Sequence, residues 1–137
     1  MSLPAPQEVL PHRAPFLLLD EVLELRLGEG ATGRWHLTGD EEFFAGHFPA
    51  RPTLPGVLML ESIAQLGAYA VLSDPQHVGK LPLFGGVEKA RFRRQVVPGD
   101  TLQLEITLGR MSARAGKGSG RALVGGEVAC ETEILFV

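Results

Sequence analysis

Hydrophobic residues are most concentrated between positions 57 and 72, where the polar exceptions are Glu61, Ser62, Gln65 and, in part, Tyr69. At 3.6 residues per turn, Glu61, Gln65 and Tyr69 fall along one side of a helix. A helix that is apolar nearly all round is typical of a protein interior, and these sixteen residues are too few to span a bilayer. The pattern predicts a buried central helix whose one carboxylate, Glu61, needs a partner or a function.

The predicted helix begins in an unusual way. Pro52 and Pro55 fix the approach of the chain, and Gly56 lets the backbone pass close to another group. No Ser, Thr, Asp or Asn immediately precedes Val57 to cap the helix with its side chain. The amides of Gly56 and Val57 are therefore either free to bind an external acceptor, such as a ligand carbonyl oxygen, or satisfied by water or a neighbouring loop.

Alternating and turn-rich segments on both sides of this helix predict about six strands. Leucine or isoleucine alternates with polar residues most regularly at 101–108, and Gly125-Gly126 is typical of a two-residue hairpin turn of the primed type. The glycine-rich segment 115–120 is interpreted as a flexible insert. The expected strands are 16–25, 31–38, 81–97, 101–108, 110–124 and 127–137, after a helical turn at 7–10.

The order of these elements lacks the alternation of strands and helices that a parallel sheet requires. Two strands precede the helix and the others follow it, so an α+β fold with a curved antiparallel sheet around one central helix is expected. Such a sheet leaves one side of the helix uncovered, which predicts a homo-oligomer. The length of 137 residues fits a single domain, 1–137.

Composition narrows the class of function. The formal net charge of −3 argues against nucleic-acid binding, and the absence of an export signal at the N-terminus argues for a cytoplasmic protein. The single cysteine, Cys130, can form no internal disulfide and fits a reducing compartment. Its alternation with neighbouring apolar residues indicates a packed side chain and not a nucleophile.

One stretch contains candidate chemistry. His47 precedes Glu61 by 14 residues and lies between Gly46 and Pro49, which restrict its segment. A histidine and a carboxylate near free helix amides could act as a general acid–base pair beside a carbonyl group. The alternative is that His47 is structural, as isolated histidines commonly are.

These residues also carry a resemblance. The motif Gly46-His47-Phe48-Pro49, followed by Leu54-Pro55-Gly56-Val57-Leu58 and then Glu61 and Gln65, resembles the active-site signature of the FabZ-type β-hydroxyacyl-(acyl carrier protein) dehydratases. Residues 10–18 (LPHRAPFLL) resemble the opening of that family, and residues 89–100 resemble its later strand and turn. Glu61, where the related dehydratase-isomerases have Asp, indicates dehydration without isomerisation. Ala50, where the family commonly has Gly, is a small departure.

The resemblance implies a hotdog fold and a homodimer, which can assemble as a trimer of dimers, with active sites shared between two chains. It implies dehydration of 3-hydroxyacyl thioesters to trans-2-enoyl thioesters on acyl carrier protein, in fatty acid biosynthesis, with no metal or cofactor. His47 would take the C2 proton, Glu61 would assist loss of the hydroxyl group, and the Gly56 and Val57 amides would bind the thioester carbonyl. Gln65 would support Glu61. The residues that would line the acyl tunnel are Phe48, Leu60 and Phe92.

Two other functions fit the same fold. An acyl-thioester hydrolase would use a carboxylate to activate water, and a non-catalytic homologue would only bind an acyl group. The basic cluster, defined as Lys89, Arg91, Arg93 and Arg94, is either a solvated strand face or a docking surface for the acidic carrier protein. His12 and Arg13, between two prolines, are expected to be structural.

Overall fold

A six-stranded antiparallel sheet wraps around one long helix in a computed structural model that describes residues 3–81, 83–112 and 114–137. The strand order is β1-β2-β4-β5-β6-β3. This is the predicted hotdog arrangement. Short 3-10 helices lie at Glu42–Ala45 and Pro75–His77. The principal elements are α1 (Pro6–Val9), β1 (Glu21–Arg26), β2 (Gly30–His36), α2 (Gly56–Leu72), β3 (Phe84–Phe92), β4 (Thr101–Met111), β5 (Gly116–Val124) and β6 (Glu127–Phe136).

The glycine-rich segment that was expected to be flexible forms most of β5, so that prediction is wrong. Gly118 and Gly120 face the interior and are buried, whereas the alternating residues Lys117 and Ser119 are exposed. A Cβ atom on Gly120 would overlap Cγ2 of Ile63 on α2. The inward glycines therefore let the helix approach the sheet more closely than any side chain would permit.

Polar residues on α2 bind the N-terminal segment of the same chain. The Ser62 hydroxyl donates to the Leu18 carbonyl (2.7 Å), and the Tyr69 hydroxyl donates to the Pro4 carbonyl (2.7 Å). Both side chains are fully buried. These bonds satisfy groups that would otherwise cost free energy in the interior, and they fasten residues 4–18 along the helix.

This attachment changes two expectations. The first strand begins at Glu21 and not at Phe16, because the Phe16 carbonyl and the Leu18 amide bond to the Gln65 side chain instead of to a strand. Residues 63–72 of α2 are also buried by their own chain alone. The cover that was expected from a second subunit is therefore needed only near the beginning of the helix, where Val57 is 65% exposed.

Strand β3 is an edge strand that pairs only with β6 among the described strands. Its register slips between Glu88 and Arg91, and Lys89 has a φ of +52°. Because this bulge interrupts the alternation of faces, the basic cluster does not keep the regular two-residue period of a strand. Phe84, Val87 and Phe92 on this strand are each more than two-fifths exposed.

Two further sequence predictions can be compared with the structure. Gly125 and Gly126 have φ values of +56° and +83°, which confirms the primed turn between β5 and β6. None of the described helices combines the length and the apolar character that crossing a membrane would demand.

Candidate active site

The loop that precedes α2 holds the His47 imidazole in one orientation. Nδ1 of His47 lies 2.8 Å from the Thr53 carbonyl oxygen, and the Thr53 amide donates to the His47 carbonyl (2.8 Å). Since a carbonyl oxygen can only accept, Nδ1 carries the proton in this contact. The neutral ring then presents the lone pair of Nε2, which is the form that a general base requires.

Glu61 lies on the second turn of α2 and is held by its neighbour along the helix. The Gln65 amide nitrogen donates to Oε2 of Glu61 (2.9 Å) and to the Phe16 carbonyl (2.9 Å), while the Gln65 oxygen accepts from the Leu18 amide (2.7 Å). Gln65 is 1% exposed. Three hydrogen bonds thus fix the Gln65 amide, and the fixed amide holds the Glu61 carboxylate in one orientation.

The first two amides of α2 have no hydrogen-bond acceptor among the described residues. Leu58 is the first residue of the helix whose amide does, bonding to the Pro55 carbonyl at 3.0 Å. Thr53 does not cap the helix, since its hydroxyl contacts Arg51 and Gln95 instead. Gly56 and Val57 therefore present free donors at the positive end of the helix dipole.

A second group of apolar side chains surrounds the beginning of α2. The Phe92 ring lies against Gly56 so closely that a Cβ atom there would be 2.8 Å from Cδ1 of the ring. The Phe48 ring stacks on the His47 imidazole with centroids 4.2 Å apart. Phe48 and Phe92 are about half exposed, and Leu60 packs against the edge of the core.

His47 and Glu61 make no hydrogen bond or ion pair with each other within the described chain. The contacts of His47 are with Thr53 and Phe48, whereas those of Glu61 are with Gln65 and His12. One chain therefore contains both halves of the predicted acid–base pair without joining them.

Glu61 opens into a cavity of about 250 Å³ that the sequence did not reveal. Ala64 and Ala68, three and seven residues further along α2, form its helical wall because their small side chains leave space. Their spacing below Glu61 was the available signal. The remaining lining residues are His12, Phe16, Gln65, Leu83, Phe84 and Phe136.

Most of the basic cluster is paired with carboxylates. Lys89 lies 3.2 Å from Glu133 on β6. Arg94 bonds to Glu127 at 2.8 Å. Such pairs are typical of a solvated strand face, and each contributes little because it is exposed.

Arg91 is the least neutralised member of the basic cluster, although it lies near the carboxylate of Glu131. Hydrogen bonding from Arg93 (3.0 Å) lowers the pKa of Glu131, with further help from the positive charges of Arg93, Arg121 and Arg91. Arg91 itself has no ion pair within the described chain and bonds only to the Ala90 carbonyl (3.1 Å). A positive charge is therefore available to a partner at Arg91.

Neither a metal-binding group of side chains nor a reactive thiol is found among the described residues. No three His, Cys, Asp or Glu side chains within the described ranges are grouped so that they could hold a metal ion. Cys130 on β6 is completely buried. Burial, and secondarily the charge of Glu131, raises the pKa of the Cys130 thiol to about 11. A raised pKa disfavours the nucleophilic thiolate.

We expect Cys130 to resist iodoacetamide at pH 8 in the folded protein and to react once the chain is unfolded in urea. Because the folded pKa is raised, the thiol's contribution to stability is complete below its unfolded pKa and is lost as the pH rises to about 11. Urea midpoints of wild type and Cys130→Ala should therefore converge over that range. Rapid labelling of the folded protein at pH 8 would show that the thiol is neither buried nor protonated.

Comparison with known proteins extends the sequence resemblance to nearly the whole chain. A family model described as a FabA-like domain matches residues 10–133. The 3-hydroxyacyl-(acyl-carrier-protein) dehydratase FabZ of Moorella thermoacetica is 55% identical over 130 residues, which cover 95% of this chain and 91% of the relative. The enzyme of the same name from Desulforamulus reducens is 49% identical over 136 residues, with 99% and 96% covered.

Solved structures show the same architecture at low sequence identity. The dehydratase heterocomplex ApeI:P from Xenorhabdus doucetiae aligns with a TM-score of 0.82 at 18% identity, covering 98% of this chain and 90% of that one. The E. coli PaaI protein from the phenylacetic acid degradation operon aligns with a TM-score of 0.65 at 15% identity, covering 84% and 79%. At these identities the likeness concerns the fold alone.

Proposed function

This chain belongs to the family of FabZ-type 3-hydroxyacyl-(acyl-carrier-protein) dehydratases, and from that premise we propose that His47 and Glu61 carry out the reaction. The enzyme is a hydro-lyase of fatty acid biosynthesis that removes water from a carrier-bound 3-hydroxyacyl thioester. The observation that supports the roles of these residues most directly is the free Nε2 of His47, beside a helix whose first amides have no acceptor.

The proposed step uses three groups of the protein. Nε2 of His47 takes the proton from C2 of the acyl chain, and the electron pair forms the C2=C3 double bond. The carboxylic acid of Glu61 gives its proton to the C3 hydroxyl group, which leaves as water. Negative charge that develops on the thioester oxygen is stabilised by the Gly56 amide, assisted by Val57.

We propose that the working site lies between two copies of the chain. Within one chain His47 and Glu61 are not in contact, so a partner must bring the missing half. The outer edge of β3, which pairs with no other described strand, and the half-exposed Phe48 and Phe92 form an apolar face suited to a second copy. A homodimer is the smallest assembly that completes the site, and a trimer of such dimers is compatible with it.

The acyl chain is proposed to run over apolar surface on both sides of the reacting carbons. Phe48, Leu60 and Phe92, the tunnel residues that the resemblance implies, would supply that surface near His47 and the helix start. The cavity below Glu61, with Ala64 and Ala68 on its wall, supplies further apolar space. No cofactor is required, because the reaction moves only protons and water. The cytoplasm is the proposed location.

Hydration of a crotonoyl thioester, the reverse reaction, tests this proposal. With the purified protein, the absorbance of the enoyl group should fall and no free thiol should be released. Release of thiol would identify an acyl-thioester hydrolase instead. If neither change occurs with the small thioester or with a carrier-bound crotonoyl group, the non-catalytic alternative is correct.

Docking of the carrier protein by the basic cluster is also proposed, with Arg91 as its most available charge. Reversing that charge in Arg91→Glu should raise KM for the carrier-bound substrate about tenfold, because the acidic carrier would meet a like charge. KM for a pantetheine thioester should be unchanged. Arg110→Glu is the matched control, because Arg110 is exposed on β4 and also has no ion pair within the described chain. Equal effects on both substrates would contradict docking at this face.

A further inference from the structure

His12 lies beside the carboxylate of Glu61, although no sequence pattern connects the two residues. Nε2 of His12 is 3.8 Å from Oε2 of Glu61, and both side chains line the same cavity. The two side chains retain 24% and 18% of their exposure, so water screens their contact only in part. The two residues are 49 positions apart in the sequence and are brought together by the attachment of the N-terminal segment to α2.

The backbone around His12 is itself fixed. The Arg13 guanidinium donates to the carbonyl oxygens of Leu10 (2.8 Å) and His12 (2.7 Å). Leu10 is 2% exposed and belongs to the core. On the other side, Gln65 fastens the Phe16 carbonyl to α2. The imidazole is therefore presented to Glu61 from a segment that is anchored at both ends.

The surroundings of the two ring nitrogens favour one tautomer of His12. Nδ1 is buried and has no hydrogen-bond partner within the described chain. A proton on Nδ1 would bury a donor without an acceptor, whereas a proton on Nε2 would point toward Oε2 of Glu61. The tautomer with the proton on Nε2 leaves only the Nδ1 acceptor unpaired. The other tautomer would leave the Nδ1 donor unpaired and would place the Nε2 lone pair against the carboxylate, which costs more free energy.

We propose that His12 is a positioning residue whose Nε2–H holds Oε2 of Glu61 during the reaction. This inference rests on the proposed function of Glu61. Gln65 already donates to the same oxygen at 2.9 Å, so the two donors fix Oε2 from different directions. Oε1, which accepts no hydrogen bond from the described residues, then remains as the atom that serves the leaving hydroxyl group.

The separation of 3.8 Å is longer than a hydrogen bond, and the proposal requires it to shorten when substrate is bound. Hydrogen bonds of catalytic groups are commonly long in the free enzyme and tighten in the substrate complex. The space for this movement is the cavity that both residues line.

Three variants separate positioning from a structural role in the crotonoyl thioester assay. His12→Leu removes the donor and should lower kcat about tenfold while leaving KM within about twofold. His12→Gln restores a side-chain N–H and should recover most of kcat. His36→Leu, an exposed histidine on β2, is the matched control and should leave kcat unchanged. Melting temperatures of all three identify any loss that is due to unfolding.

Nitrogen-15 NMR of the four histidines gives a measurement that does not depend on activity. The signal that disappears in His12→Leu identifies His12, and its couplings should show the proton on Nε2. A proton on Nδ1 would overturn the proposal, as would an unchanged kcat in a folded His12→Leu variant of an active enzyme. An inactive wild-type protein would instead contradict the proposed function, and the positioning role of His12 would fail with it.

Discussion

Replacing His47 with alanine should lower the hydration rate of a crotonoyl thioester about a thousandfold, the largest loss of activity expected from one substitution. No other described histidine lies in the loop before α2 with a free ring nitrogen beside the free amides of Gly56 and Val57. Glu61→Gln, which keeps the shape and the bond from Gln65 but cannot donate an acidic proton, should cause a comparable loss. Both variants should melt within a few degrees of the wild type.

Mixing the two inactive variants tests whether the site is shared. If His47 of one chain works with Glu61 of its partner, a mixed dimer contains one intact site and one that lacks both groups. Random exchange of subunits should then restore about a quarter of wild-type activity. No recovery after confirmed exchange would place both residues of each site on one chain, and the proposed assembly of the site would be wrong.

Gly120→Val should produce the largest loss of stability, about 3 kcal/mol in the free energy of unfolding and roughly 10 °C in Tm. Its Cβ atom would overlap Cγ2 of Ile63 and lie 3.1 Å from both the Glu105 carbonyl oxygen and Cδ1 of Ile106. The backbone oxygen belongs to the neighbouring strand and cannot move aside without breaking the β4–β5 pairing. The helix would have to shift away from the sheet, which disturbs packing along its length.

Ser119→Val is the matched control, because it adds the same side chain to the adjacent residue on the exposed face of β5. Valine suits a strand, so this variant should be as stable as the wild type or slightly more stable. Urea unfolding of both variants supplies the comparison. A Gly120→Val protein as stable as Ser119→Val would mean that the segment is not packed against α2, as the flexible-insert interpretation had assumed.

Elements whose pattern is local were predicted well from the sequence. The helix was expected at 57–72 and begins one residue earlier, and the alternation at 101–108 identified β4. The turn at Gly125-Gly126 was correct because both positions adopt a positive φ, which glycine tolerates. In each case the residues that decide the conformation are neighbours in the chain, so no distant contact was needed to interpret them.

The errors arose where distant residues decide the structure. Phe16 and Leu18 have the composition of a strand, yet their backbone groups bond to Gln65 and Ser62, more than forty residues away. Glycines at 116–120 weaken a strand when considered alone, and only the position of α2 explains why they face inward. Long-range packing overrides local preference in both cases.

In the candidate site, too, some features have a local sequence signal and others depend on distant contacts. The resemblance points to His47, Glu61 and Gly56 through motifs that are short and continuous. It did not identify His12 or the cavity, because their relation to Glu61 depends on how the N-terminal segment lies along α2. The basic cluster was visible in the sequence, whereas the carboxylates that neutralise much of it lie on β6, some forty residues away.

The sheet order has a consequence for synthesis of the protein. Among the described strands, β3 pairs only with β6, which comes last of the six in the sequence. While the polypeptide grows from its N-terminus, residues 84–92 emerge with exposed Phe84 and Phe92 and with no sheet partner until residues 127–136 leave the ribosome. The nascent chain therefore carries an open apolar edge until β6 has been made. A premature stop before β6 would make that edge permanent, and such fragments would be substrates for chaperones and proteases.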